Sequence, residues 1–459
     1  MAHSSTLKRT LGLGAIVALG LGYMTPTVVF DTFGIVTENT DGVVPLAYLV
    51  ALTVMLFTAI SYGKMVRVFP SAGSAYTYAR ETIHPGVGFM VGWASLLDYL
   101  LLPLVNALII RIYMSAVFPS VPGWIWVVAY VAGVTAINVV SMKSTSRLNF
   151  FLVAFEIVLI VAFLVLAVLR LSEGMGQGTL LTSEPLFHPG VEFGPVLTGA
   201  TVVCFSFIGF DAITMYTEEA KDKDTVPRAI VLTLLIGGGI FFISGFVAQA
   251  VFPDVSGFEV TDDTLPEMAL YVGGQIFQLL FLAGAFAATV ASGLASHASV
   301  SRLMYVMGRN GVLRPRRLFG YVHPRFHTPV FAVVVVGLVS LLAIAPTLEL
   351  VASLINFGAL IAFTFVNLSV IAHFAIRHQR RKTPRDVFSF IVLPAVGAGL
   401  TGLLWANLHA DAFIGGAIWA GIGAVYLVVL TRGFRRRISD FDLAGPVVQE
   451  QQQEQEQDA

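Results

Sequence analysis

The sequence predicts an all-α membrane protein of twelve transmembrane helices, with helices 1 and 6 broken in mid-span. Three observations lead there. Of 459 residues, 56% are hydrophobic and only 12% charged, whereas a soluble domain carries about 25% charged residues; mean hydropathy is +0.81. The apolar residues gather into runs of the roughly 20 residues that a spanning helix needs. Finally, when loops are assigned to alternate faces, 25 of the 27 basic residues fall on one face.

The spans follow in order. The first, 11–31, is interrupted by Gly20, Gly22 and Pro26, and 43–66 ends at Lys64 and Arg67. Span 86–113 starts behind Pro85, 121–140 behind Pro122, and 146–170 behind Lys143. A polar Gly/Pro-rich stretch leads to 194–217, and the charged 221–224 leads to 227–252. An acidic loop precedes 273–304, Pro329 and Pro346 bracket 329–344, and 350–376 ends in a basic cluster. The last two spans are 387–407 and 412–431. Residues 1–10 are a short N-terminus before a retained helix, with no small-residue cleavage site behind it. The polar, Gln/Glu-rich 432–459 reads as a disordered, solvated tail.

Spans 1–5 (11–170) and 6–10 (194–376) are expected to form two inverted repeats, followed by spans 11 and 12 (387–431). The basic face is the cytoplasmic one by the positive-inside rule, which puts both termini in the cytoplasm. Arg111 and Arg170 lie near helix ends on the other face, within snorkelling reach of the interface. Cys204 is the only cysteine, which excludes a disulfide scaffold, and a net charge of −1 gives no basic surface for nucleic acid.

The acids sort differently. Twelve of the 28 fall in outer loops and twelve on the cytoplasmic side; Asp31, Asp98, Glu156 and Asp211 lie within spans, with no Lys or Arg at comparable depth. One ionised side chain at mid-membrane costs about 3 kcal/mol even on the lenient insertion scale. Each acid alone could be hydrogen-bonded packing; four without a base favour a cavity that handles cations or protons.

The helix breaks lie five spans apart. Span 1 reads Gly20-Leu-Gly-Tyr-Met-Thr-Pro26, and Pro26 removes a backbone donor. Span 6 reads Cys204-Phe-Ser-Phe-Ile-Gly209-Phe-Asp211. A glycine in a membrane helix often serves only packing. Paired breaks at corresponding positions instead suggest a 5+5 inverted repeat with a substrate site at the discontinuities.

Several stretches resemble the amino acid–polyamine–organocation superfamily, and within it the bacterial putrescine importers. They are Phe30-Asp-Thr-Phe-Gly-Ile-Val, Phe57-Thr-Ala-Ile-Ser-Tyr-Gly-Lys, Ala72-Gly-Ser-Ala-Tyr-Thr-Tyr-Ala, Gly88-Phe-Met-Val-Gly-Trp-Ala-Ser-Leu-Leu-Asp-Tyr99, the span-6 segment, and Gly293-Leu-Ala-Ser-His-Ala-Ser-Val-Ser-Arg302. The resemblance covers about 11–431 and implies a LeuT-type fold with substrate between spans 1, 3, 6, 8 and 10. Asp211 matches a glutamate of related exchangers, Phe205 their gating tryptophan, and Asp98 the Glu of the Gly-Trp-x4-Glu-Tyr pattern. Two departures matter. Tyr23-Met-Thr25-Pro26 replaces the Gly-Ser-Gly that holds a substrate carboxylate, which favours a diamine over an α-amino acid. Glu156 stands where several members carry Lys, so lysine-based proton coupling does not transfer.

The expected activity is import of putrescine or a similar cationic diamine by secondary active transport, with an amino-acid permease or exchanger of the same superfamily as the alternative. Asp211 and Asp98 would hold the two ammonium ends, with Phe205, Phe207, Trp93 and Tyr99 against the methylenes or ammonium groups; plain helix packing is the alternative for each aromatic. Tyr23, Thr25 and Gly209 belong to the breaks, Asp31 would meet the substrate on its way in, and Glu156 is the proton-coupling candidate. The expected setting is a multi-pass plasma-membrane protein, a monomer in the lipid bilayer, with protons as a candidate coupling ion. No cofactor or metal is expected. An embedded enzyme would need a nucleophile elbow or a His-Glu-x-x-His pair, and neither occurs. His323 and His327 have Pro324 between them, and His297 reads as a hydrogen-bonded helix histidine rather than a relay. A channel or sensor is the remaining class.

Overall fold

The computed structural model describes residues 11–70, 74–140, 146–217, 220–309, 312–431 and 433. Its helices run α1 (Leu13–Met24), α2 (Val28–Asp31), α3 (Phe33–Thr40), α4 (Val44–Val68), α5 (Ser74–Thr82), α6 (Pro85–Val117), α7 (Gly123–Val140) and α8 (Ser146–Ser172). They continue α9 (Phe193–Phe207), α10 (Thr225–Val251), α11 (Leu265–Arg309), α12 (Arg316–Phe319), α13 (Val330–Ser340), α14 (Leu348–Val370), α15 (Pro384–Val387), α16 (Leu393–Ala406) and α17 (Ala410–Leu430). Among the described residues there is no β-strand, only an isolated bridge between Leu11 and Ala220. The predicted tail lies outside the described residues, apart from Gly433.

Among these residues, eleven helices are long and apolar enough to cross a membrane. The predicted ninth span differs. It is the shorter apolar helix Val330–Ile344, an α-helix that tightens into a 3₁₀ turn at Leu341–Ile344. Pro329 stands at its N-cap, and Pro346 lies two residues beyond its end. Fifteen residues at 1.5 Å each reach only about 22 Å.

Two kinds of surface divide the bundle. α10 packs along α4, α14 along α6, and α9 against α3, α4 and α14. Their shared interior holds Tyr48, Tyr62, Phe207, Phe210, Phe241 and Phe363, all fully buried. α7, α8 and α17 instead carry exposed apolar side chains such as Ile137, Phe151, Val158, Ile418 and Val425. Such a belt is unfavourable in water and favourable against lipid. The chain is a multi-pass membrane protein.

The helix ends carry the excluded charge. On the basic face Arg67 pairs with Asp224 at 2.9 Å, and Arg377 donates to the Glu81 carbonyl at 2.9 Å. On the opposite face Arg111 donates to the carbonyls of Ile344 and Pro346, at 2.5 and 3.3 Å. Arg170 donates to the Val272 carbonyl and pairs with Glu173 at 3.0 Å. Both of these bases satisfy backbone carbonyls instead of entering the bundle.

Candidate substrate site

Span 1 breaks because its local chemistry cannot continue a helix. α1 ends at Met24, Thr25 caps it in the left-handed region with φ 47°, and Pro26 has no N–H to offer. The chain resumes as α2 and α3. Span 6 breaks after Phe207: Ile208 is extended and Gly209 takes φ +124°, open to glycine at little cost. A 3₁₀ helix, Ala212–Tyr216, follows. The breaks meet. A Cβ on Gly209 would stand 2.9 Å from the Tyr23 Cβ and 3.2 Å from the Met24 nitrogen, so only a glycine lets the two backbones cross here.

Beside this crossing lies a cavity of about 320 Å³, lined by Asp98 and Asp211 together with Tyr62, Tyr99, Ser95, Ser299, Met215 and Phe363. That is the small end of the range for small-molecule sites. Asp211 is positioned by the break itself: the Gly209 N–H donates to its Oδ1 at 3.2 Å, and the Thr214 hydroxyl donates to its carbonyl at 2.7 Å. Asp98 comes from α6, which α14 approaches closely at Gly358. A Cβ there would lie 2.4 Å from the Ala94 oxygen and 3.4 Å from the Asp98 Cβ. Asp98 Oδ1 is buried without a hydrogen-bond partner, an expensive state that an incoming donor would relieve. No buried Lys or Arg occurs among the described residues. The cavity extends to Ser74, Met307 and the exposed Arg302, toward the basic face.

The other sequence-predicted residues divide around this cavity. Tyr99 lines it, and Tyr23 has Ser299, Tyr216, Asp211 and Asp98 as its polar neighbours. Thr25 and Gly209 form the two turns of the crossing. Phe205 is buried at the end of α9, and Phe207 is sealed between Tyr48 and Phe241 at centroid distances of 6.2 and 5.4 Å. Trp93 faces α17 instead. It stacks on Trp419 at 4.9 Å, and each indole N–H donates to the other residue's carbonyl, at 2.9 and 2.8 Å. None of Phe205, Phe207 and Trp93 lines the cavity.

Asp31 and Glu156 lie elsewhere, beyond the span-1 break. Tyr113 donates to Asp31 Oδ1 at 2.7 Å, and Thr27 donates to Glu156 Oε1 at 3.0 Å. Asp263, counted among the outer-loop acids, does lie in the loop before α11, yet it is only 2% exposed. His297 is buried with its Nε2 3.0 Å from the Val333 carbonyl, as expected of a packed helix histidine. Sequence reasoning missed Tyr62, Ser95, Ser299, Met215, Phe363 and Arg302 as lining. Ser95 was accessible, since it precedes Asp98 by three residues and so shares its helix face.

Two broken membrane helices crossing over a carboxylate-lined cavity are the parts of a permease rather than of an enzyme. Residues 15–399 match the amino acid permease family, and the chain belongs to that family. It is 50% identical over 450 residues to the low-affinity putrescine importer PlaP of Escherichia coli K12, covering 96% of this chain and 99% of that one. More distant relatives include the branched-chain amino acid permease BcaP of Bacillus subtilis, 26% identical over 93% of this chain and 94% of the relative. The methylthioribose transporter of the same organism is 25% identical over 94% and 95%.

Proposed function

We propose that this chain imports putrescine, or a diamine of similar length, across the plasma membrane by alternating access. The observation that carries the reading is the sharing of one cavity by Asp98 and Asp211, with no buried base among the described residues. A diamine has an ammonium at each end and methylenes between, and the cavity offers two carboxylates together with aromatic and aliphatic lining. Identity of 50% to a putrescine importer over nearly the full length supports the same substrate.

In this reading Val330–Ile344 is the ninth span and brings the total to twelve, and spans 1–5 and 6–10 are inverted repeats of the LeuT type, with both termini in the cytoplasm. The cavity then leads to the cytoplasm, and the Asp31 side faces outward. Asp211 and Asp98 bind the ammonium groups, Tyr99 and Tyr23 pack on the chain between them, and Asp31 receives the amine from outside. Membrane potential suffices as a driving force: a dication gains about 4.6 kcal/mol at 100 mV, on the order of a thousandfold accumulation. Glu156 is the candidate for any added proton coupling.

The test is uptake of labelled putrescine into proteoliposomes, with spermidine, ornithine, arginine and γ-aminobutyrate as competitors. Asp211→Asn should raise KM at least tenfold, the equivalent of one charge-assisted hydrogen bond at about 1.4 kcal/mol per decade. Unchanged uptake would remove Asp211 from the site, and preferential competition by an amino acid would replace the diamine.

A further inference from the structure

The loop between α10 and α11 is fastened over the far side of the span-1 break. Asp262 accepts the N–H groups of Leu348 and Glu349 at the start of α14, at 2.9 to 3.3 Å. The Thr264 hydroxyl donates to the Phe30 carbonyl at 2.8 Å and accepts the Gly34 N–H at 3.2 Å. A Cβ on Gly34 would fall 2.6 Å from the Thr261 carbonyl oxygen, so loop and α3 are in direct backbone contact.

Between these two fastenings Asp263 is pressed into the bundle. Its Oδ1 accepts the Leu265 N–H at 3.1 Å, but its Oδ2 is buried with no partner. Burial first, then the charge of Asp31, push the Asp263 carboxyl well above the usual carboxylate range. The groups around the pair are acids and phenols. Asp31 meets Tyr113 of α6, Tyr48 of α4 and Glu156 of α8, while Asp263 meets Asp262, Glu267 and Tyr113. Arg111 is a base within electrostatic reach of Asp262, and its guanidinium is bonded to the Ile344 and Pro346 carbonyls.

We propose that Asp263, pressed in near Asp31, is a proton-binding lock on the outer gate: a proton from the outside solution, held on the buried and otherwise unpartnered Asp263 carboxyl, is required for this loop to close. When the loop lifts, Asp263 leaves its buried site for water and the proton returns to the same side. The lock therefore sets the external pH range of gating and is separate from proton symport. The sign follows from linkage. The closed state binds more protons than the open one, so closure is favoured at low external pH and lost as pH rises. The placement of this face outside rests on the orientation given under Proposed function.

The test uses proteoliposomes with clamped potential and fixed internal pH, varying external pH from about 6 to about 9, on either side of neutral. Wild-type uptake should fall several-fold toward alkaline pH. Asp263→Asn, whose amide imitates the protonated carboxyl, should keep uptake and lose the fall. A flat wild-type profile, or an Asp263→Asn profile lowered equally at every pH, would overturn the lock.

A second readout needs no substrate. Leu265→Cys is buried in the closed loop and Val260→Cys is exposed. External maleimide labelling of the first relative to the second should rise several-fold with pH, and should not rise when Asp263→Asn is added. Absence of putrescine uptake with this labelling intact would sink the substrate and keep the lock. A pH-independent labelling ratio would sink the lock alone.

Discussion

Replacing Gly209 by Ala tests whether the crossing of the two broken helices positions the substrate site. The backbone sits at φ +124°, where an L-residue pays about 1–3 kcal/mol. The new Cβ would also meet the Tyr23 Cβ at 2.9 Å and the Met24 nitrogen at 3.2 Å, and such overpacking costs about another 1–3 kcal/mol. Together these disfavour the observed crossing by about 2–6 kcal/mol, or roughly 30- to 20,000-fold in its population. Gly239→Ala is the matched control: Gly239 lies within helix α10, and its added Cβ would meet nothing within 4 Å. Uptake of labelled putrescine and thermal unfolding in detergent are measured for both. Gly209→Ala should lose at least nine-tenths of its initial uptake rate, while Gly239→Ala keeps the wild-type rate with a slight gain in stability. If Gly209→Ala transports and melts like the wild type, the crossing does not hold the site.

Other variants separate positioning from binding. Gly358→Ala forces α14 away from α6 at Asp98, since its Cβ would lie 2.4 Å from the Ala94 oxygen; uptake should fall steeply, and wild-type KM would show that Asp98 does not need that approach. Trp93→Phe removes one of the two reciprocal indole bonds to α17 and should lower stability by about 1–2 kcal/mol with putrescine KM unchanged. A raised KM would return Trp93 to the substrate. Glu156→Gln keeps a hydrogen-bond acceptor for Thr27 and, at constant external pH, should abolish any dependence of uptake on internal pH. Persistence of that dependence would end its proton role.

What the sequence made legible were features with strong local causes. Pro26 and Gly209 break helices wherever they stand, and an apolar run of about 20 residues is a span without knowledge of its neighbours. Asp98 and Asp211 stood out because no base shares their depth. Trp93 was a matter of angle: it is five residues from Asp98, about 140° around a helix of 3.6 residues per turn, so the two cannot face the same cavity. Asp263 was not legible at all. It sits in a polar, acidic stretch, and its burial depends on Asp262 reaching α14 and Thr264 reaching the span-1 break. Phe363 and Met215 line the cavity as apolar residues among many, with no local pattern to mark them.

The shortness of Val330–Ile344 bears on the surrounding lipid. Helix α7 beside it carries 18 residues, and in the twelve-span reading proposed above Val330–Ile344 would cover only about 22 Å of a hydrocarbon layer about 30 Å thick. Its outer side shows Val334, Leu338 and Leu342 to lipid, with Arg111 drawn over its end at Ile344. Acyl chains must thin or tilt there to cover it, at a cost of fractions of a kcal/mol per Å of mismatch. α13 also packs on α11, the helix that carries Ser299 and Arg302 to the cavity, so in that reading a change in bilayer thickness would bear on a helix lining the cavity.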